Sequence, residues 1–224
     1  MEALRHHYPT ALKTLQKVEQ QPEARHLPRV RMRLHLYRGQ IRAALGDDGA
    51  VQDLQIAADE AARLSLSAYG ARAWLFLAER AFWRQRDDEA RTLLRRAWQL
   101  AADTGDRLGA TLARIHLHRL DGNDPEVASA VAALDLPSLN VAWQVTAAWH
   151  ANQLGDHEAA GRHTETAIAP LATTDLPLSL HLRALTLADR LASVRSLVRS
   201  IAERFPDRRS RRRFLGEWER GARV

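Results

Sequence analysis

The residues of this 224-residue chain that could do chemistry are ten histidines, a few adjacent acidic pairs and one dense arginine run. Histidine can ligate a metal or move a proton near neutral pH. His6 and His7 are adjacent near the start of the chain. His116 and His118 are two apart, which sets them about 200° apart around a helix, so they do not share one ion. His157 and His163 flank a helix start without an acidic ligand at a matching spacing. No metal is expected on these grounds. The pairs Asp47–Asp48, Asp59–Glu60 and Asp87–Asp88 fall at or near predicted helix starts, where negative charge complements the helix dipole. That reading is preferred over a catalytic carboxylate pair. Arg208, Arg209, Arg211, Arg212 and Arg213 could contact anions or the phosphates of a nucleic acid. The competing reading is a solvated helix face, with Phe214, Leu215 and Trp218 docking the helix onto the rest of the chain.

Other chemistries lack their residues. There are no cysteines, so a disulfide scaffold, a thiolate zinc site and a cysteine nucleophile are excluded. The 11 glycines are scattered and form no phosphate-cradling loop. The only lysines are Lys13 and Lys17, both on the first predicted helix. Neither a nucleophile elbow nor a metalloprotease helix motif occurs. The expectation is a non-enzymatic protein without a cofactor or metal, and an unfamiliar helical active site is the reading set aside.

The elements that carry these residues read as helices. Hydrophobic residues make up 46% and charged residues 27%, as in an ordinary soluble protein. Ala and Leu outnumber Val and Ile, and aromatics are only 6%, which favours helix over sheet. No apolar run approaches the roughly 20 residues that span a bilayer, and the first 20 residues have no signal-peptide pattern. A cytoplasmic location and no membrane partner are therefore expected. The net charge of +6 is uneven: residues 189–224 hold 11 Arg against 5 acidic residues, which accounts for all of it. The basic character belongs to a C-terminal helix rather than to the whole surface.

Internal repetition organises the chain from about residue 27 to 169. The clearest unit places Trp74, Leu77, Ala78 and Ala81 on one helix and Ala90, Leu94 and Ala97 on the next. Small residues let two helices approach closely, and the large ones fill the gaps between them. A second unit reads Leu34, Tyr37, Ile41, Ala50, Leu54 and Ala57, with Arg38 where a small residue belongs. A third has Ala147, Ala148 and Ala151, the turn from Gly155 to Ala160, and Ala167. In that turn Gly ends one helix and Asp156 opens the next. A weaker fourth has Leu112, Ile115 and Ala128, with Pro125 in the first turn of a helix. Thr10 to Val18 and Pro177 to Phe205 are further helical runs. Pro206 stops the second, and Asp207 caps a last helix to about Trp218.

The pattern resembles tetratricopeptide (TPR) helix pairs. Leu34 and Trp74 lie 40 residues apart, longer than the usual period of about 34. Such spacing is similar to the sensor arrays of bacterial regulators of the maltose-regulator (STAND ATPase) type. Ile201 to Arg204, Asp207 and Arg211 to Leu215 resemble the segment that closes helical arrays in bacterial multidomain regulators, kinases and cyclases. The resemblance implies an all-α, right-handed superhelical array of antiparallel helix pairs, a TPR-like α-solenoid. It implies one domain over residues 1–224, with C-terminal capping helices over about 177–219. It also implies that the chain is the C-terminal portion of such a regulator or a stand-alone relative.

The function implied is protein–protein interaction or sensing within a bacterial signalling or transcription regulator. A protein or peptide partner would lie in the concave groove. The places that contact a partner along the first helices hold Arg72, Leu75, Glu79 and Phe82 in one unit, and Met32, His35, Gly39 and Arg42 in another. Val145, Trp149 and Asn152 stand near the same face of the later unit. The competing reading is that these residues pack against Thr10–Val18 or the C-terminal helices and close the groove. The alternative function is a nucleic-acid-associated protein using the Arg-rich helix. Self-association into a homo-oligomer is a further expectation.

Overall fold

A computed structural model describes residues 8–122, 124–172, 184, 191–205 and 207–221. The expected His6–His7 pair, Leu180, Leu182, Leu185, Leu187, Pro206 and the side chains of Trp83, Leu191, Val194 and Trp218 lie outside the described residues. The described elements are helical, and no strand occurs among them. They run α1 (Tyr8–Glu19), α2 (Pro22–His26), α3 (Pro28–Ala44), α4 (Gly49–Arg63), α5 (Ser67–Trp83), α6 (Asp87–Asp103), α7 (Arg107–Asp121), α8 (Val127–Ala132), α9 (Pro137–Gln153) and α10 (His157–Ile168). A 3-10 turn (Ala169–Ala172), α11 (Leu191–Glu203) and α12 (Arg208–Gly221) follow. None of the described helices is long and apolar enough to cross a membrane.

Local chemistry explains where the helices start and stop. Proline occupies the first turn of α3 and α9, where no backbone donor is needed. Asp87, Asp88 and Glu89 fill the first turn of α6, at the positive end of its dipole. The Asp156 carboxylate accepts the Ala159 N–H at 2.9 Å and so caps α10. In the same way Asp207 accepts the Ser210 N–H at 2.8 Å at the start of α12. Helices α3, α4, α5 and α6 are each followed by a left-handed residue: Gly46, Ser65, Gln85 and Gly105, with φ between 55° and 69°. These stops recur about every twenty residues, and two such helices make the forty-residue period seen in the sequence. Two boundaries differ from the expectation. Asp59 and Glu60 lie inside α4, not at a helix start, and Pro125 precedes α8 instead of sitting in its first turn.

The chain divides into two compact units, 1–110 together with 200–224, and 111–199. In the first unit α3 packs on α4, α4 on α5, and α5 on α6, while α3 also touches α5. Alanine lines the seams: Ala57, Ala61, Ala73, Ala78, Ala90, Ala97 and Ala101 have no exposed surface. Leu36, Leu54 and Leu77 fill the space between those backbones, with Trp74, Phe76 and Leu93 packed around them. The close approach of α3 to α4 falls at Gly39, not at position 38. A Cβ on Gly39 would lie 2.7 Å from Leu54 Cγ, so the missing small residue is present one position later. Arg38 beside it reaches across to α4, where its guanidinium meets Asp53. In the second unit α10 packs on α9, and Val141, Val145, Ala167 and Ala184 form its core.

Candidate functional site

The most concentrated polar constellation is in the first unit, around Asp53 of α4. Asp53 is only 3% exposed, so its charge must be met by protein donors. Three residues of α3 supply them. Arg38 donates Nη2–H to Asp53 Oδ1 at 2.8 Å, and its Nε–H reaches both carboxylate oxygens at 3.0 and 3.1 Å. Arg42 donates Nη1–H to Oδ2 at 2.6 Å. His35 Nδ1 stands 2.9 Å from Oδ1 and donates when it carries the ring proton. Positions 35, 38 and 42 share one face of a helix, so one buried carboxylate gathers all three. Burial pushes the Asp53 carboxyl up, but hydrogen bonds from His35 and Arg38 and the charges of Arg38 and Arg42 overcome it and hold it at about 2. The hydrogen bond to Asp53, the largest influence on Arg38, together with the contact to Glu19 holds that guanidinium above its ordinary range despite burial.

This network forms one wall of a cleft of about 470 Å³. Arg38 turns its remaining nitrogen, Nη1, to the Glu19 carboxylate of α1 at 2.8 and 3.0 Å. Leu12, Lys13, Leu15 and Gln16 of α1 make the opposite wall. Leu45, Phe205 and Arg213 complete it, and Arg213 donates to Asp47 Oδ2 at 2.7 Å. The lining is amphipathic, with apolar side chains beside cations whose positions are fixed by buried or half-buried acids. Lys13 is exposed and makes no ion pair among the described residues. The arrangement suits recognition of a segment carrying both apolar and acidic side chains.

Within the first unit the expected groove residues do not form one open face. His35 and Arg42 join the Asp53 network, and Arg42 lines the cleft. Met32 and Gly39 are buried on α3. Leu75 and Phe82 are buried on α5 because their side chains fill the core of the first unit. Arg72 is exposed and Glu79 half-buried on the same helix. In the second unit Val145 is buried, Trp149 stacks under Arg119 with the guanidinium 5.3 Å from the ring, and Asn152 is exposed. Asp53 was missed from the sequence because an acidic residue within a helix, here directly before Leu54, is usually solvated. The available signal was the set of three cations on one face of α3.

His118 and His163 are held by local partners. His118 of α7 accepts the Asp124 N–H at Nδ1 (3.2 Å) and packs edge-on against Trp143 and His150 at 5.2 and 5.4 Å. Burial and the neighbouring His150 keep His118 below the ordinary histidine range. His163 Nδ1 meets Gln144 Oε1 at 2.6 Å. Among the described residues no group of three or more His, Asp or Glu is placed to hold a metal ion.

Of Arg208, Arg209, Arg211, Arg212 and Arg213 on α12, two are engaged. Arg213 holds Asp47, and Arg211 donates to the Phe205 carbonyl at 3.0 Å. Arg208, Arg209 and Arg212 are exposed and make no side-chain hydrogen bond or ion pair among the described residues. Phe214 docks the helix, at 1% exposure and stacked on Phe205. No protein family, curated protein or solved structure matches the chain.

Proposed function

We propose that this protein is a TPR-like helical-repeat module that binds a segment of another protein, without catalysis, inside a cytoplasmic bacterial signalling or transcription regulator. One observation supports the reading above the others: helix pairs with alanine seams recur at a forty-residue period, each helix stopped by a left-handed residue. Hairpins stacked in this way cannot bury their faces singly. Together they make a right-handed superhelical scaffold whose use is an extended binding surface. The place of capture is the cleft between α1 and α3, where cations fixed by Asp53 stand beside Leu12, Leu45 and Phe205. The partner is then an apolar segment with acidic residues.

The test starts from affinity capture with the full chain, mass spectrometry of what is retained, and calorimetry with the purified partner. Lys13→Glu reverses an exposed charge at the cleft and is expected to weaken binding at least tenfold. Arg72→Ala, on the exposed side of α5, is expected to change it little. The reverse pattern transfers the site to α5. An unchanged affinity in both variants removes both faces and the reading with them.

A further inference from the structure

The last helix presents a second, separate surface. On α12, Arg208 and Arg212 stand one turn apart, about 6 Å along the axis, with Arg209 beside them. All three are exposed, and none has a side-chain partner among the described residues. The neighbouring acid, Asp207, is occupied in capping the Ser210 N–H. The helix is fastened down on its other side by buried Phe214 and at its flank by Arg213, which is tied to Asp47. The helix therefore holds three exposed guanidinium groups that have no partner among the described residues.

The composition of that face selects the ligand. A surface that docks a folded protein carries an apolar centre within its polar rim, whereas here the three arginines stand together and Leu215, one turn beyond Arg212, is half-buried at their edge. A helix lying on a membrane must insert its apolar side, whereas Phe214 of α12 is turned into the first unit. What is offered is charge and bidentate donors alone, which suits phosphate groups read without regard to base sequence. We propose that Arg208, Arg209 and Arg212 form a sequence-independent contact for the phosphate backbone of a nucleic acid. This site is independent of the cleft between α1 and α3, and either can fail alone.

Fluorescence anisotropy with the full chain and a labelled DNA duplex of arbitrary sequence tests it. Three phosphate contacts give a slope of about −2.7 for log affinity against log salt, or about 40-fold weaker binding at 200 mM than at 50 mM salt. A second duplex of scrambled sequence is expected to bind equally. R208Q/R209Q/R212Q is expected to abolish low-salt binding, and each single change to lower the slope by about 0.9. Arg72→Gln removes an exposed charge elsewhere and is expected to leave binding intact. Circular dichroism confirms that the triple variant keeps its helices; should it unfold, the three single variants carry the test. The proposal is overturned by no binding of the natural chain at 50 mM salt. It is also overturned by equal affinity in the folded triple variant, or by binding to polyglutamate or phosphatidylserine vesicles that the duplex does not compete away.

Discussion

Arg213 and Asp47 lie 166 positions apart in the chain, yet the Arg213 guanidinium reaches the Asp47 carboxylate at 2.7 Å. The last helix is thereby tied to the turn between α3 and α4. The two side chains are 37% and 33% exposed, however, and a pair so placed stabilises by about 0–1 kcal/mol.

Phe214, not the ion pair, is therefore expected to hold α12 in place. Its ring is 1% exposed and stacks on Phe205 at 5.5 Å between centroids. Truncating a buried Phe typically costs about 3–5 kcal/mol. Phe214→Ala should lower urea stability by that order and speed amide exchange throughout α12. A double-mutant cycle over Arg213 and Asp47 should return about 0.5 kcal/mol of coupling. A coupling as large as the Phe214→Ala loss would reverse the assignment.

Asp53 supplies an acid-side dependence whose sign follows from its environment. Its folded pKa, about 2, lies below the ordinary carboxylate value. The unfolded chain thus binds the proton more readily, and stability falls as pH drops from about 5 through 2. The contribution present at neutral pH is on the order of 2 kcal/mol. Asp53→Asn should cost about 3–5 kcal/mol at pH 7, because Arg38 and Arg42 lose the carboxylate between them. At pH 3 the gap between the variant and the natural chain should narrow. Urea titrations at both pH values measure this, and a constant gap would show that the Asp53 charge is not what titrates.

How far the sequence reveals this molecule depends on how local the signal is. The seams around Trp74 to Ala97 were legible because small residues at helical spacing admit few other uses. Caps were legible where the acid precedes its own helix, as at Asp156 and Asp207. Asp59 and Glu60 misled because an acidic pair in mid-helix resembles one at a start. Glu60 is in fact buried and paired to Arg31 at 2.6 Å. Gly39 was not recognised as the close-packing residue because the repeat pattern pointed one position earlier, to Arg38. The cleft was illegible for a different reason: it joins α1, α3 and residues beyond 200, and no local pattern records that meeting.

The alanine seams should be intolerant of volume at particular positions only. Ala101 has no exposed surface, while its neighbour Ala102 is exposed on the same helix. Ala101→Leu forces extra methylenes into a packed interior and is expected to cost about 1–3 kcal/mol, or more. Ala102→Leu should stay within about 0.5 kcal/mol of the natural chain. Thermal and urea unfolding of the two variants compare them directly. Equal losses would mean that the seam has slack and that alanine there is not a packing requirement.

His118 should make the second unit sensitive to mild acid. Burial, and then the nearby His150, disfavours its charged form, and the Asp124 carboxylate only partly offsets them. Its folded pKa thus lies below the unfolded value of about 6.5. Over that interval the unfolded chain binds more protons, so stability is full above about 6.5 and falls as pH drops through the folded value. Asp124, held low by its hydrogen bond to Arg114, titrates in a separate and more acid window. His118→Asn keeps an acceptor for the Asp124 N–H but cannot take up the proton. Amide exchange of α7 and α9 at pH 7.5 and 5.5 distinguishes the two forms. The natural chain should lose protection at the lower pH and the variant should not, and an equal loss in both would assign the effect to another group.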